Sequence, residues 1–81
     1  MARAQYLSIA RGARMAESGE GRSVRVASRL TQEAIAEAVG VTASAVSLWE
    51  SGQRVPRGTH AARYYEVISA LARDAGLEVA R

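Results

Sequence analysis

The chain has 81 residues, with eleven arginines and no lysine against eight acidic residues, a single histidine and no cysteine, for a formal net charge of +3. That length makes one domain, residues 1–81, with a small core, at the size where independent folding is marginal and oligomerisation often helps; it leaves no room for a second, ligand-sensing domain. The composition excludes a disulfide framework and a thiolate metal site, and His60 cannot form a ligand set alone. With no signal-peptide pattern and no apolar run long enough to span a bilayer, no membrane contact and cytoplasmic residence are expected.

Charge is laid out unevenly. Residues 1–30 hold six arginines against Glu17 and Glu20, residues 31–50 hold Glu33, Glu37 and Glu50 with no base, and residues 51–63 hold Arg54, Arg57 and Arg63 with no acid. Positive charge therefore brackets a central stretch. Arginine's planar fork suits phosphate oxygens, but a chain rich in Ala, Arg, Gly and Val also reflects a GC-rich genome, and the preference for arginine over lysine is better ascribed to that.

Residues 4–18 read as a first helix, in which Tyr6, Ile9, Ala10, Ala13 and Ala16 form one apolar stripe and Gly12 costs about 1 kcal/mol relative to alanine. Residues 19–29, GEGRSVRVASR, begin with glycines that end this helix, and Val24-Arg25-Val26 alternates as a short extended strand would.

Residues 31–52, TQEAIAEAVGVTASAVSLWESG, organise the chain. Ile35, Ala36 and Val39 recur at helical spacing, stop at Gly40, and resume as Val46 and Trp49, which predicts two short helices joined by a tight turn. Thr31 and Thr42 can cap them, Gly40 can take the left-handed backbone that closes the first, and Gly52 followed by Pro56 can end the second. Segments of roughly eight residues fall below the ~12–15 that an isolated helix needs, so packing must hold both. The small Ala36 lets the second helix cross closely.

The second helix, about residues 43–51, sorts by face. Val46 and Trp49 point inward with Ala45 beside them, Trp49 as a core residue, leaving Ala43, Ser44, Ser47, Leu48 and Ser51 outward. That face has no carboxylate until Glu50, as a helix meeting a polyanion at its N-terminus requires; an ordinary solvated face would use the same residues. Glu50 opposes the helix dipole at a cost of a few tenths of a kcal/mol, roughly, so a cationic partner is expected, either Arg14 or Arg25.

Residues 52–58, GQRVPRG, form a loop in which Pro56 blocks helix continuation and Arg54 and Arg57 flank that proline. Residues 59–75 form the C-terminal helix, with Tyr64, Val67, Ile68, Leu71, Ala72 and Ala75 as its stripe, Thr59 as cap and Gly76 as stop. Tyr65 and His60 fall outside the stripe, and His60 is expected beside solvent or phosphate. Residues 77–81 alternate weakly, as a frayed end or an edge strand pairing with a second subunit would.

The run Leu30-Thr31-Gln32-Glu33-Ala34-Ile35-Ala36, then Val39-Gly40-Val41-Thr42, then Val46-Ser47-Leu48-Trp49-Glu50-Ser51-Gly52 with Pro56 resembles the Cro/phage-repressor type of helix-turn-helix domain over about residues 30–71. The resemblance implies an all-α, lambda-repressor-like bundle of four to five short helices, whose second motif helix enters the DNA major groove. It implies a sequence-specific regulator of transcription, a repressor or Cro-like protein that binds double-stranded DNA as a homodimer joined somewhere in residues 59–81. Gln32 then bonds a phosphate and braces the recognition helix. Better-known phage repressors often place glutamine, asparagine or arginine where this chain has Ala43, Ser44 and Leu48. Thr42, Ser44 and Ser47 are left single hydrogen bonds to bases, Ala43 and Leu48 contacts with thymine methyls, and Arg54 and Arg57 the phosphates.

Two registers fit the resemblance. Either residues 4–18 are the family's first helix and residues 19–29 a basic insertion, or the first helix is residues 23–29 and the N-terminal helix is extra. Arg25 lies five residues before Leu30, where many relatives carry an arginine that pairs with the motif's glutamate, which favours the second. Length and glycine content favour the first, the preferred reading. An antitoxin with a protein toxin as partner is the alternative function. An enzyme is the weakest, because the motif holds no acid–base pair, no nucleophile with a base and no metal set; no cofactor is implied.

Overall fold

The structure, a computed structural model, describes residues 3–77, and the side chains of residues 5–77. They form five helices and, among the described residues, no strand: α1 (Arg3–Glu17), α2 (Glu20–Ala27), α3 (Gln32–Val39), α4 (Ala43–Glu50) and α5 (Gly58–Asp74). The helix pair α3–α4 follows its punctuation. Thr31 Oγ1 accepts from the Ala34 N–H and Thr42 Oγ1 from the Ala45 N–H, both at 3.1 Å, satisfying one orphan donor in each first turn. Gly40 sits at φ 89°, and the N–H groups of Gly40 and Val41 both donate to the Ala36 carbonyl. A side chain at that φ would be strained, so the tight turn depends on glycine.

The core draws on every helix: Met15 and Ala16 of α1, Val24 of α2, Ile35, Ala36 and Val39 of α3, Val46 and Trp49 of α4, and Tyr64, Ile68 and Ala72 of α5. Trp49 meets Tyr64 edge to face, with ring centroids 5.3 Å apart, which ties α4 to α5. The helix α5 starts at Gly58, so Thr59 lies inside it rather than capping it, and the N-cap residue is Arg57, which makes no side-chain cap bond. Ala75 is exposed, whereas Tyr65 is half-buried against the core, because α1 covers that flank of α5. The stop at Gly76 is observed. Of the proposed tail, only Leu77 is described; it is exposed, and residues 78–81 lie outside the described residues.

Two further expectations are corrected. The first concerns which face of α1 points inward. Tyr6 and Leu7 are 61% and 50% exposed and Ala10 is exposed, while Gly12, Met15 and Ala16 are buried. The reason is backbone proximity: a Cβ on Gly12 would lie 2.0 Å from the Ala61 carbonyl oxygen. The helix is seated by its glycine, which brings α1 onto the backbone of α5, and the apolar stripe is turned partly outward. The second concerns residues 19–29, where Val24-Arg25-Val26 is helical: Val24 is buried, Val26 is 52% exposed, and Arg25 reaches across to α4.

Arg25, not Arg14, is the partner of Glu50. Arg25 Nε donates to Glu50 Oε2 at 2.6 Å and its Nη2 to Oε1 at 2.8 Å, a two-pronged contact, while Nη1 donates to the Leu30 carbonyl at 2.9 Å. Gln32 Nε2 donates to Glu50 Oε1 at 3.0 Å. The Glu50 side chain is only 4% exposed, and that of Arg25 14%. Burial alone would push the Glu50 carboxyl upward, but the hydrogen bonds from Arg25 and Gln32 outweigh it and hold the carboxyl below its ordinary value of 4.5.

Three outcomes follow from these contacts. Gly12→Ala, which would raise the stability of an isolated helix, is expected to destabilise this protein by about 1–3 kcal/mol through overpacking; a melting temperature equal to or above wild type would refute the close approach. Glu50→Ala should cost about 2 kcal/mol by stripping charged hydrogen bonds from a mostly buried arginine, which is roughly 10 °C in Tm for a domain this small, with Glu50→Gln losing less. Because the folded carboxyl lies below its unfolded value, its contribution is complete above the ordinary carboxylate range and disappears as pH falls through the folded value. Acidification from pH 7 should therefore lower the Tm of wild type, from about pH 4.5 downward, more than that of Glu50→Gln.

Candidate nucleic-acid interface

One end of the molecule gathers the N-terminus of α4, the loop after it and the N-terminus of α5. On α4 and its C-cap, Ser44, Ser47 and Ser51 are exposed and Val46 and Trp49 buried, as the face analysis predicts, whereas Ala43 and Leu48, expected outward, are half-buried, with Ala43 packed against the core. Ser51 is turned back on its own helix, with Oγ donating to the Leu48 carbonyl at 3.2 Å. The first turn of α4 holds no acid, nor does that of α5. Both helices thus present the positive ends of their dipoles without a carboxylate to cancel them.

Beside these termini lies an open groove of about 1000 Å³, lined by Thr42, Ser44 and Leu48 and by Arg54, Arg57 and His60; among the described residues no carboxylate lines it. Arg54, Arg57 and His60 are all exposed. Pro56 between the two arginines is buried and anchors the loop, and the N–H groups of Gln53 and Arg54 both donate to the Leu48 carbonyl, at 3.0 and 3.2 Å. The loop is therefore fastened to the last turn of α4. Two of its residues escaped the sequence reading: Gln53, whose Nε2 donates to Ser51 Oγ at 3.0 Å, and Val55, which is 40% exposed. Nothing in the periodicity marks either one, because loop residues have no repeating face.

Gln32 is not part of the groove. Its amide is bonded to Glu50, so it braces the end of α4 from the start of α3. Glu33 and Glu37 are exposed on α3. Among the described residues no cluster of three or more His, Asp or Glu is placed to hold a metal ion, and no helix is long and apolar enough to cross a membrane.

A helix-turn-helix family model matches residues 22–68. Comparisons with curated proteins and with solved structures gave no match. The matched span begins inside α2 and ends inside α5, so α2 is the family's first helix and α1 lies outside the match. That overturns the preferred register, in which residues 4–18 were the family's first helix and residues 19–29 an insertion. The Arg25–Glu50 pair, which joins α2 to the motif, is the physical counterpart of this register. A match over more than half of the chain, on the motif whose caps, turn and core residues are described above, establishes that the protein belongs to the Cro/phage-repressor type of helix-turn-helix DNA-binding family.

Proposed function

We propose that the protein is a sequence-specific transcriptional regulator of the repressor or Cro kind, which occludes a promoter by binding double-stranded DNA as a homodimer. The observation that carries this reading is the carboxylate-free groove between α4 and the Arg54–Arg57 loop. The helix α4 enters the major groove with its N-terminus toward the sugar–phosphate chain. Arg54 and Arg57 take phosphates beside it, and the second amide hydrogen of Gln32 takes another while its first stays on Glu50.

Base reading falls to Thr42, Ser44 and Ser47 through single hydrogen bonds, and to Ala43 and Leu48 through thymine methyls. None is a two-pronged contact worth the ~1–3 kcal/mol of an arginine on guanine or a glutamine on adenine. Affinity then leans on phosphates, and discrimination on several small contacts together with DNA shape.

Selection of bound fragments from random DNA, repeated at two salt concentrations, is expected to return a near-palindrome with half-sites about one helical turn apart. Failure to retain any duplex at low ionic strength would sink the reading. Arg57→Ala should weaken binding to all sequences alike and reduce the slope of log K against log salt by about one; a loss confined to certain sequences would make Arg57 a base-reading residue instead. Ser47→Ala should change base preference at one position of each half-site, with the salt slope untouched.

A further inference from the structure

The dimer in the preceding reading needs a surface, and α1 supplies one. This helix lies outside the family match. Its inner side is occupied by α5, with Gly12 against the Ala61 backbone and the Arg11 guanidinium 5.9 Å from the centre of the Tyr65 ring. Its outer side keeps two large apolar side chains in solvent, Tyr6 and Leu7, and Ala10, Arg14 and Glu17 complete the exposed seam. Among the described residues, Tyr6 and Leu7 are adjacent members of the small set of large apolar side chains left in solvent, and no other two of that set are neighbours in the chain. The outer face of α5 carries Arg63, Glu66, Arg73 and Asp74 around Ala70 and, unlike α1, exposes no large apolar side chain.

The seam is complementary to itself. In an antiparallel pair of α1 helices related by a two-fold axis through Ala10, Leu7 of one copy falls opposite Ala13 of the other, and Tyr6 opposite Arg14. The first juxtaposition sets a large apolar residue on a small one. The second sets a cation over an aromatic ring, a contact this protein already makes once, between Arg11 and Tyr65. Ala10 on the axis lets the two backbones approach closely. No other register of an antiparallel pair joins Tyr6 to Arg14 and a small residue to itself.

We propose that the occupant of this face is a second copy of the chain, and that the homodimer is held by antiparallel pairing of α1 about Ala10 rather than by residues 59–81. The inference rests on the dimeric reading of the preceding subsection. A single helix of this length spans about 22 Å and covers less than a standard-size interface. Free copies therefore exchange between monomer and dimer, and two half-sites on one duplex raise their effective concentration and complete the pairing.

The chain has no cysteine, so a single introduced thiol reports the contact directly. Ala10→Cys under mild oxidation is expected to give a covalent dimer, since a disulfide forms only when the two Cα atoms come within about 7 Å, while Ala70→Cys on the outer face of α5 stays monomeric. A variant carrying both Tyr6→Asp and Leu7→Asp should melt as wild type does and keep its affinity for a duplex with one half-site. It should sediment as a monomer and lose at least tenfold in affinity for a duplex with two. Cross-linking of Ala10→Cys no faster than that of Ala70→Cys, or a double variant that sediments as wild type does, overturns the proposal. If wild type binds no duplex at all, the regulator reading fails, and the cross-linking and sedimentation still decide the pairing.

Discussion

A carboxylate at the wrong end of a helix sets the geometry of this protein. Glu50 closes α4, where the dipole is negative, and its side chain is removed from water, so two effects oppose its charge at once. Arg25 from α2 and Gln32 from α3 answer both by converging on the same two oxygens. Three helices therefore share one charge. An ion pair of this kind adds little net stability compared with an apolar contact of equal volume, but removing one member leaves the other stranded. Its effect is to allow one arrangement of α2, α3 and α4 and penalise the rest, which a core made chiefly of valine, isoleucine and alanine would tolerate more loosely.

The parts of the fold that could be read from the sequence are those fixed by neighbouring residues. Thr31, Gly40 and Thr42 act within a turn of where they stand, and the inward pair Val46 and Trp49 follows from one helical repeat, so the caps, the turn and the buried face of the motif were readable. The segment α2 was not. Three residues alternating apolar, charged, apolar satisfy a strand's period and are too few to exclude a helix, and Gly19 and Gly21, read as terminators, stand before α2 and inside it. The decisive signal was Arg25, whose importance lies in a contact with a residue far along the chain. The face of α1 was misread for a similar reason. Apolar moment assumes that side chains seat a helix, whereas here the absence of one at Gly12 does so.

Within the interface, the same distinction separates position from recognition. The loop that carries Arg54 and Arg57 is fixed at both sides, by the Leu48 carbonyl and by buried Pro56, so these charges come from a rigid support. On α4 the exposed groups are hydroxyls and half-buried methyls, short side chains that lose little freedom on binding but reach only what lies against the helix. Recognition with such residues demands that the helix be set close and at a defined angle, since none can extend to compensate for a poor fit. In the proposed complex, precise placement of α4 thus matters more than it would for a helix reading bases with long amides.

That requirement returns to Glu50 from the other side. The same ion pair that fixes the angle of α4 also silences the one carboxylate on it. With Arg25 Nε and Nη2 on its oxygens, Glu50 presents no net negative charge to a phosphate, although it lies on the helix proposed to approach one. Glu33 and Glu37 remain on the exposed side of α3, away from the groove, whose lining contains no acid. A neutral residue at position 50 would spare the desolvation cost but would give Arg25 nothing to hold, and α2 would then pack on the motif through Val24 and its neighbours alone. The pair resolves two demands together: it orients the helix, and it leaves no uncompensated carboxylate on it.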